Sequence, residues 1–222
     1  MKKIYLLLGL LAIFCCKRAD EPAEVGFAIR FENPQPINDL ELSKIPNKFR
    51  GLFMNADSVY FNITDKMILR EYYNKSRFHK RLLDSIKGEF YLKGNQYISK
   101  FNKDIYDYRY LGDSVEFSNR RIDTFFIFSD AQKAKRIDGQ LILNYKDSIY
   151  WKIKTISLDK TMLKIKYIYS EEDLKRMDSV TKIKSTIIDS SLFILKPSRN
   201  EFKLIINLKK FGDEWEYKKI TK

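Results

Sequence analysis

The sequence is short of the residues on which most catalytic and metal chemistry depends. Among its 222 residues are two cysteines, and they are neighbours, Cys15 and Cys16. The rest of the chain offers no thiolate for a disulfide or a zinc site. The one histidine, His79, sits among Arg77, Lys80 and Arg81 and reads as a solvated residue on a helix. A zinc site draws about three protein ligands, usually His or Cys among them. A Ser-His-Asp site on an α/β-hydrolase elbow needs a setting such as Gly-x-Ser-x-Gly, which is missing. Glycine is scarce at 8 residues, and no phosphate loop, dinucleotide fingerprint or calcium loop is present. The acidic run Glu171, Glu172 and Asp173 reads as a partner for a helix N-terminus. Glu214 and Glu216 read as ordinary residues of an exposed edge. The sequence therefore assigns no catalytic residue, no metal and no cofactor. After residue 14 no stretch is long enough and free enough of charge to cross roughly 30 Å of hydrocarbon as a helix.

What is present begins at the N-terminus. Lys2 and Lys3 precede an apolar run from Ile4 to Phe14, the pattern and length of a signal-peptide core. Ile13-Phe14-Cys15-Cys16 resembles the bacterial lipoprotein box: an aliphatic residue, two permissive positions, then the cysteine that is acylated. Cys16 places Ile13 at the aliphatic position and small Cys15 before the cut. Counting to Cys15 puts bulky Phe14 there, so Cys15 is the alternative. The resemblance implies removal of residues 1–15, acyl chains such as palmitate on Cys16, and a tether over 16–24. It implies export to a bacterial envelope, with the outer membrane as destination. Each buried CH₂ contributes about 0.8 kcal/mol, so several acyl chains make a stable anchor where one does not.

The formal net charge is +13, which suits a neighbour of anionic headgroups and serves solubility equally. Lys152, Lys154, Lys164 and Lys166 alternate with apolar residues and read as the wet face of a sheet, where lysine also discourages edge pairing. With an export signal upstream, nucleic acid is not expected as a partner.

Residues 25–222 read as a single β-rich domain. Val25, Phe27, Ile29 and Phe31 alternate as a strand, broken by Asn33-Pro34-Gln35-Pro36. Short strands are expected over 51–54, 59–63, 67–73, 89–92, 96–101, 106–111, 114–117, 122–128, 141–145, 149–158 and 162–169, separated by turn residues. Phe78, Leu82, Leu83 and Ile86 predict a helix over 76–86. Ser170 with Asp173, and Ser198 with Glu201, predict capped helices, the second running near 198–211 up to Gly212. Trp215 and Tyr217 predict a last edge strand. The expected fold is mainly β or α+β: a curved, mostly antiparallel meander, sandwich-like or barrel-like, with two or three packed helices.

Asp-Ser recurs six times, at Asp57, Asp84, Asp113, Asp147, Asp178 and Asp189, and in five cases Val or Ile follows. Turn chemistry accounts for Asp57, Asp113 and Asp147, since Asp bonds its own backbone two residues on. The same triplet resembles the O-glycosylation acceptor motif of exported Bacteroidota proteins, which implies Ser58, Ser85, Ser114, Ser148 and Ser179 as candidate acceptors. Finally, Ile45-Pro46-Asn47-Lys48-Phe49-Arg50-Gly51-Leu52-Phe53 is similar to the opening of lipocalin-like domains. Two functions are thereby expected of the anchored domain. One is a non-enzymatic envelope module that contacts another protein. The other is a carrier of a small apolar ligand.

Overall fold

A computed structural model describes residues 27–189 and 191–220. These form one large, antiparallel-dominated sheet with three short helices. Its strands are β1 (Ala28–Phe31), β2 (Gly51–Met54), β3 (Tyr60–Ile63), β4 (Met67–His79), β5 (Phe90–Lys93), β6 (Gln96–Ser99), β7 (Ile105–Leu111) and β8 (Ser114–Ile127). They continue with β9 (Gln132–Ile137), β10 (Gln140–Asp147), β11 (Tyr150–Asp159), β12 (Met162–Tyr167), β13 (Thr186–Ile187), β14 (Leu192–Leu195) and β15 (Asp213–Lys219). The helices are α1 (Leu83–Ile86), α2 (Glu171–Val180) and α3 (Arg199–Ile206). The main path runs β13-β14-β1-β11-β12-β15-β2-β3-β4-β8-β7-β6-β5, and β10 and β9 branch from β11. The sheet curves strongly without closing into a barrel.

Curvature folds one face onto itself around a first core. Phe49, Phe53, Phe61, Phe126, Leu141, Ile156, Leu163, Ile165 and Tyr217 are buried there. Alternation along β3 (Phe61, Ile63) and β12 (Leu163, Ile165) brings these side chains to the same side. A second core forms on the outer face of β10 and β11. Ile142, Trp151 and Ile153 meet β1 and β14 together with Met177 of α2 and Phe202, Ile205 and Ile206 of α3. Burying each of those large side chains contributes about 1.5–3 kcal/mol. A third, smaller core lies far along the β4–β8 ribbon, where α1 covers Val115 and Phe117.

Both capping boxes are present. Ser170 accepts from Asp173 N–H, and Ser198 from Glu201 N–H, with each acidic side chain returning to the cap. Glu201 also accepts the Lys182 backbone N–H at 2.6 Å. That bond, with those from Ser198, holds its carboxyl at about 2. Asp173 accepts the Gly212 N–H at 2.8 Å. Gly212 has φ +67, and a β-carbon there would stand 2.8 Å from the Tyr167 carbonyl oxygen, so this turn admits glycine alone.

Four expectations need correction. Residues 76–79 continue strand β4, and only Leu83–Ile86 is α-helical. The apolar spacing that suggested a helix instead places Phe78 opposite Val115. The stretches 114–117 and 122–128 belong to one 14-residue strand, β8. Helix α3 ends at Ile206, five residues before the expected 211. Strand β15 is not an edge: it pairs with β12 and β2. Its glutamates stand opposite lysines, Lys164 against Glu216 and Lys166 against Glu214. Burial works against the Glu214 carboxylate, but the Lys164 and Lys166 ammoniums more than offset it and leave its pKa lowered.

Candidate functional site

The β4–β8 ribbon changes character along one face. In antiparallel pairing, residues two apart share a side. The pairs Ile68–Phe126, Arg70–Asp123, Tyr72–Arg121, Asn74–Asn119, Ser76–Phe117 and Phe78–Val115 follow one another outward from the first core. A register shift between Ile68 and Leu69 leaves Phe125 as the extra residue of a bulge, so both Phe125 and Phe126 enter the first core. Beyond the bulge the same face turns polar, and then aromatic again where Phe78 and Phe117 stack with ring centroids 5.0 Å apart.

The polar interval forms an open groove of about 740 Å³, lined by Arg70, Tyr72, Arg121, Asp123, Phe125 and Tyr145, with Lys154 and Gln132 across it. Arg70 is 5% exposed and its guanidinium meets the Asp123 carboxylate at 3.0 Å. It also lies over the Tyr72 ring, 5.0 Å from the centroid. The Tyr72 hydroxyl donates to Asp123 at 3.2 Å. Burial, reinforced by that carboxylate, raises the Tyr72 pKa, so the phenol stays a proton donor across the physiological range. Arg121 pairs with Asp104 at the rim. The Lys154 ammonium lies 4.4 Å from the Phe125 ring centre, 4.8 Å from Tyr145 and 5.2 Å from Tyr167. Cation–π attraction at such distances is worth about 0.5–2 kcal/mol, more as water is excluded. Arg70, Arg121 and Lys154 thus line the groove, the two arginines paired with Asp123 and Asp104, and ring faces frame them. Such an arrangement suits an anion or an acidic side chain.

Lys154 is also a correction. It shares a face of β11 with Ile156, which is buried in the first core, so it points to the groove and not to a wet outer face. Lys164 contacts Glu214 at 2.7 Å and Glu216 at 2.8 Å, and Lys152 contacts Asp147 at 3.5 Å. His79 ends a strand, and its Nδ1 accepts from the Arg81 backbone N–H at 3.1 Å. Glu171 and Glu172 pair with Lys175 one turn on.

The candidate acceptor serines are scattered. Ser58 and Ser148 are exposed with φ of 60° and 59°, in turns, as the Asp-Ser pattern predicts there. Ser114 opens β8 and is half-buried. Ser85 and Ser179 are exposed but helical, with Oγ donating to the carbonyls of Leu82 and Arg176 at 2.7 Å. The groove brings none of them together. Cys15 and Cys16 lie outside the described residues.

Among the groove residues, sequence reading had singled out only Lys154, and for another reason. The signal was present in the period-two series Ile68, Arg70, Tyr72, Asn74, Ser76, Phe78, whose polarity changes midway. No protein-family model, curated protein or solved structure matches the chain.

Proposed function

We propose that this protein is a lipid-anchored, non-enzymatic binding module of a bacterial envelope, held at the outer membrane through Cys16, with Cys15 as the alternative. In this reading its groove takes a carboxylate-bearing segment of another envelope protein. The observation that carries the binding half is a solvent-open groove lined by Arg121 and Lys154 among aromatic rings, with buried Arg70 beside them. Carriage of an apolar ligand finds less support, because Phe49, Phe53, Phe61 and Phe126 fill the first core without exposed surface. The anchoring half rests on the sequence between Lys2 and Cys16.

Full-length protein in detergent, titrated with a glutamate-rich peptide, tests the groove. Binding is expected to weaken as salt rises. Joint replacement Arg121→Gln and Lys154→Gln is expected to reduce affinity about tenfold or more, since each charged hydrogen bond is worth about 1.5–3 kcal/mol. Equal affinity for parent and double variant, both folded by circular dichroism, would reject the groove. The anchor has its own test. Cys16→Ala is expected to lose acyl labelling and leave the membrane fraction. Continued labelling moves the site to Cys15, and unchanged retention without any label overturns the anchor.

A further inference from the structure

We infer that the terminal strand β13 and the loop before it form a membrane-facing edge, resting in the headgroup layer of the bilayer that holds the anchor. This rests on the anchored reading proposed above. Three isoleucines of this segment are open to water: Ile183 at 63%, Ile187 at 63% and Ile188 at 52%. Scattered apolar residues on a surface are ordinary. Three within six positions, on the last strand of a sheet, form a local apolar edge.

The segment is held in place. Ile188 N–H donates to the Leu192 carbonyl at 2.9 Å. Lys182 N–H reaches Glu201 at 2.6 Å. Ser185 donates to Asp178 through both N–H, at 2.8 Å, and Oγ, at 2.7 Å. The isoleucines are therefore presented by a fixed backbone, with exposed Lys182 and Lys184 on either side of Ile183 and exposed Asp189 after Ile188. Lysines near an anionic leaflet each contribute about 1 kcal/mol.

The chain's own path supplies the occupant. Strand β13 pairs with β14, and β14 runs parallel to β1 with Ala28 beside Leu192. Ala28 N–H donates to the Ser191 carbonyl at 2.7 Å, and the Phe27 ring lies 4.7 Å from that of Phe193. Ile187, opposite Phe193 and so in line with Ile29, is thus two strand spacings, about 10 Å, from the start of β1. From Cys16 to Phe27 an extended chain reaches no more than about 40 Å. The part of the domain nearest that junction is the part the tether delivers to the lipid. Shallow, edge-on seating also suits the backbone. The unpaired N–H and C=O groups of an edge strand stay hydrated among headgroups, whereas hydrocarbon would leave them unsatisfied.

Because the body lacks cysteine, Ile187→Cys supplies a single labelling site in the mature, acylated protein. We would attach an environment-sensitive fluorophore there and reconstitute the full anchored chain in phosphatidylglycerol-containing vesicles doped with nitroxide lipid. Tyr91→Cys, on β5 at the other end of the sheet, serves as control. The Ile187 probe is expected to shift to the blue and to be quenched at least about threefold more than the Tyr91 probe, as for groups lying about 5–10 Å into the interface. Vesicle flotation and intact mass report the anchor separately. Acylated, floating protein with equal quenching at both sites overturns the membrane edge and leaves the anchor standing. Absence of acyl mass and of flotation overturns the anchor and, with it, the edge. A blue shift without vesicles, accompanied by a dimer mass, assigns the edge to a second copy and also overturns the proposal.

Discussion

Phe61→Ala is expected to cost about 3–5 kcal/mol of folding stability, the range for truncating a buried aromatic residue. Phe61 has no exposed surface and meets two rings edge-on, Phe125 and Tyr217, each with centroids 4.7 Å away. On β3 it stands between Phe53 of β2 and Arg70 of β4. The side chain therefore ties the curved sheet across its first core beside the groove. With total stability of about 5–15 kcal/mol typical of a domain, such a loss is a large fraction. For a chain of this size each kcal/mol moves the melting temperature by roughly 2–4 °C, so the melt should fall by roughly 6–20 °C. Phe61→Leu should recover most of the loss. Phe101→Ala, at a side chain 97% exposed, should stay within about 0.5 kcal/mol of the parent. A shift of under about 2 °C for Phe61→Ala would mean that the core accommodates the missing ring. It would also reopen the reading of this domain as a carrier with interior space.

The sequence made the two capped helices and the central hairpins legible because their signals are local. Ser170 with Asp173 and Ser198 with Glu201 hold the orphan N–H groups within one turn, and Asp147-Ser148 marks its turn whatever the surroundings. The long β4–β8 ribbon was harder to see. Its apolar residues lie at both ends of one face, with Arg70, Tyr72 and Asn74 between, so each long strand reads as shorter pieces and the far end of β4 as a helix. The groove occupies that interval. A site built from Arg70 and Asp123, 53 residues apart, shows in a sequence only when the pairing register is known.

Charge misled for a related reason. Lys164 and Lys166 alternate with apolar neighbours as solvated residues do, and Glu214 and Glu216 flank Trp215 as edge residues do. Each set is the other's partner across β12 and β15. Opposite charges directly across a strand pair contribute about 0.2–1 kcal/mol and let a polar strand sit inside a sheet. Likewise Lys154 reads as one more surface lysine until β11 is found covered on both faces. Its ammonium then lies among the rings of Phe125, Tyr145 and Tyr167.

Asn144→Leu is expected to destabilise the fold by about 2–5 kcal/mol, although it replaces a polar core residue with an apolar one of similar size. Asn144 is fully buried on β10, between Leu143 and Tyr145. Its Oδ1 accepts the Gln35 N–H at 2.6 Å, and its Nδ2 donates to the Gln35 carbonyl at 2.8 Å. The amide thus pairs with both backbone groups of Gln35 as a residue of a neighbouring strand would, and fastens the connection out of β1 onto the sheet. Leucine would leave both Gln35 groups in a buried position without that partner. Each unmet backbone group costs about 1–3 kcal/mol, which outweighs the gain from added apolar surface. The ammonium of Lys135 would feel the same change, because it donates to the carbonyls of Pro34 and Pro36 at 3.1 and 2.9 Å. Burial already lowers the Lys135 pKa. If the segment lifts, water should reach that lysine and return its pKa toward the ordinary value. Hydrogen exchange at Gln35 and the titration of Lys135 by NMR would read both effects. A variant with parental exchange at Gln35 and a parental melting temperature would show that other contacts hold the segment and that the amide clamp is dispensable.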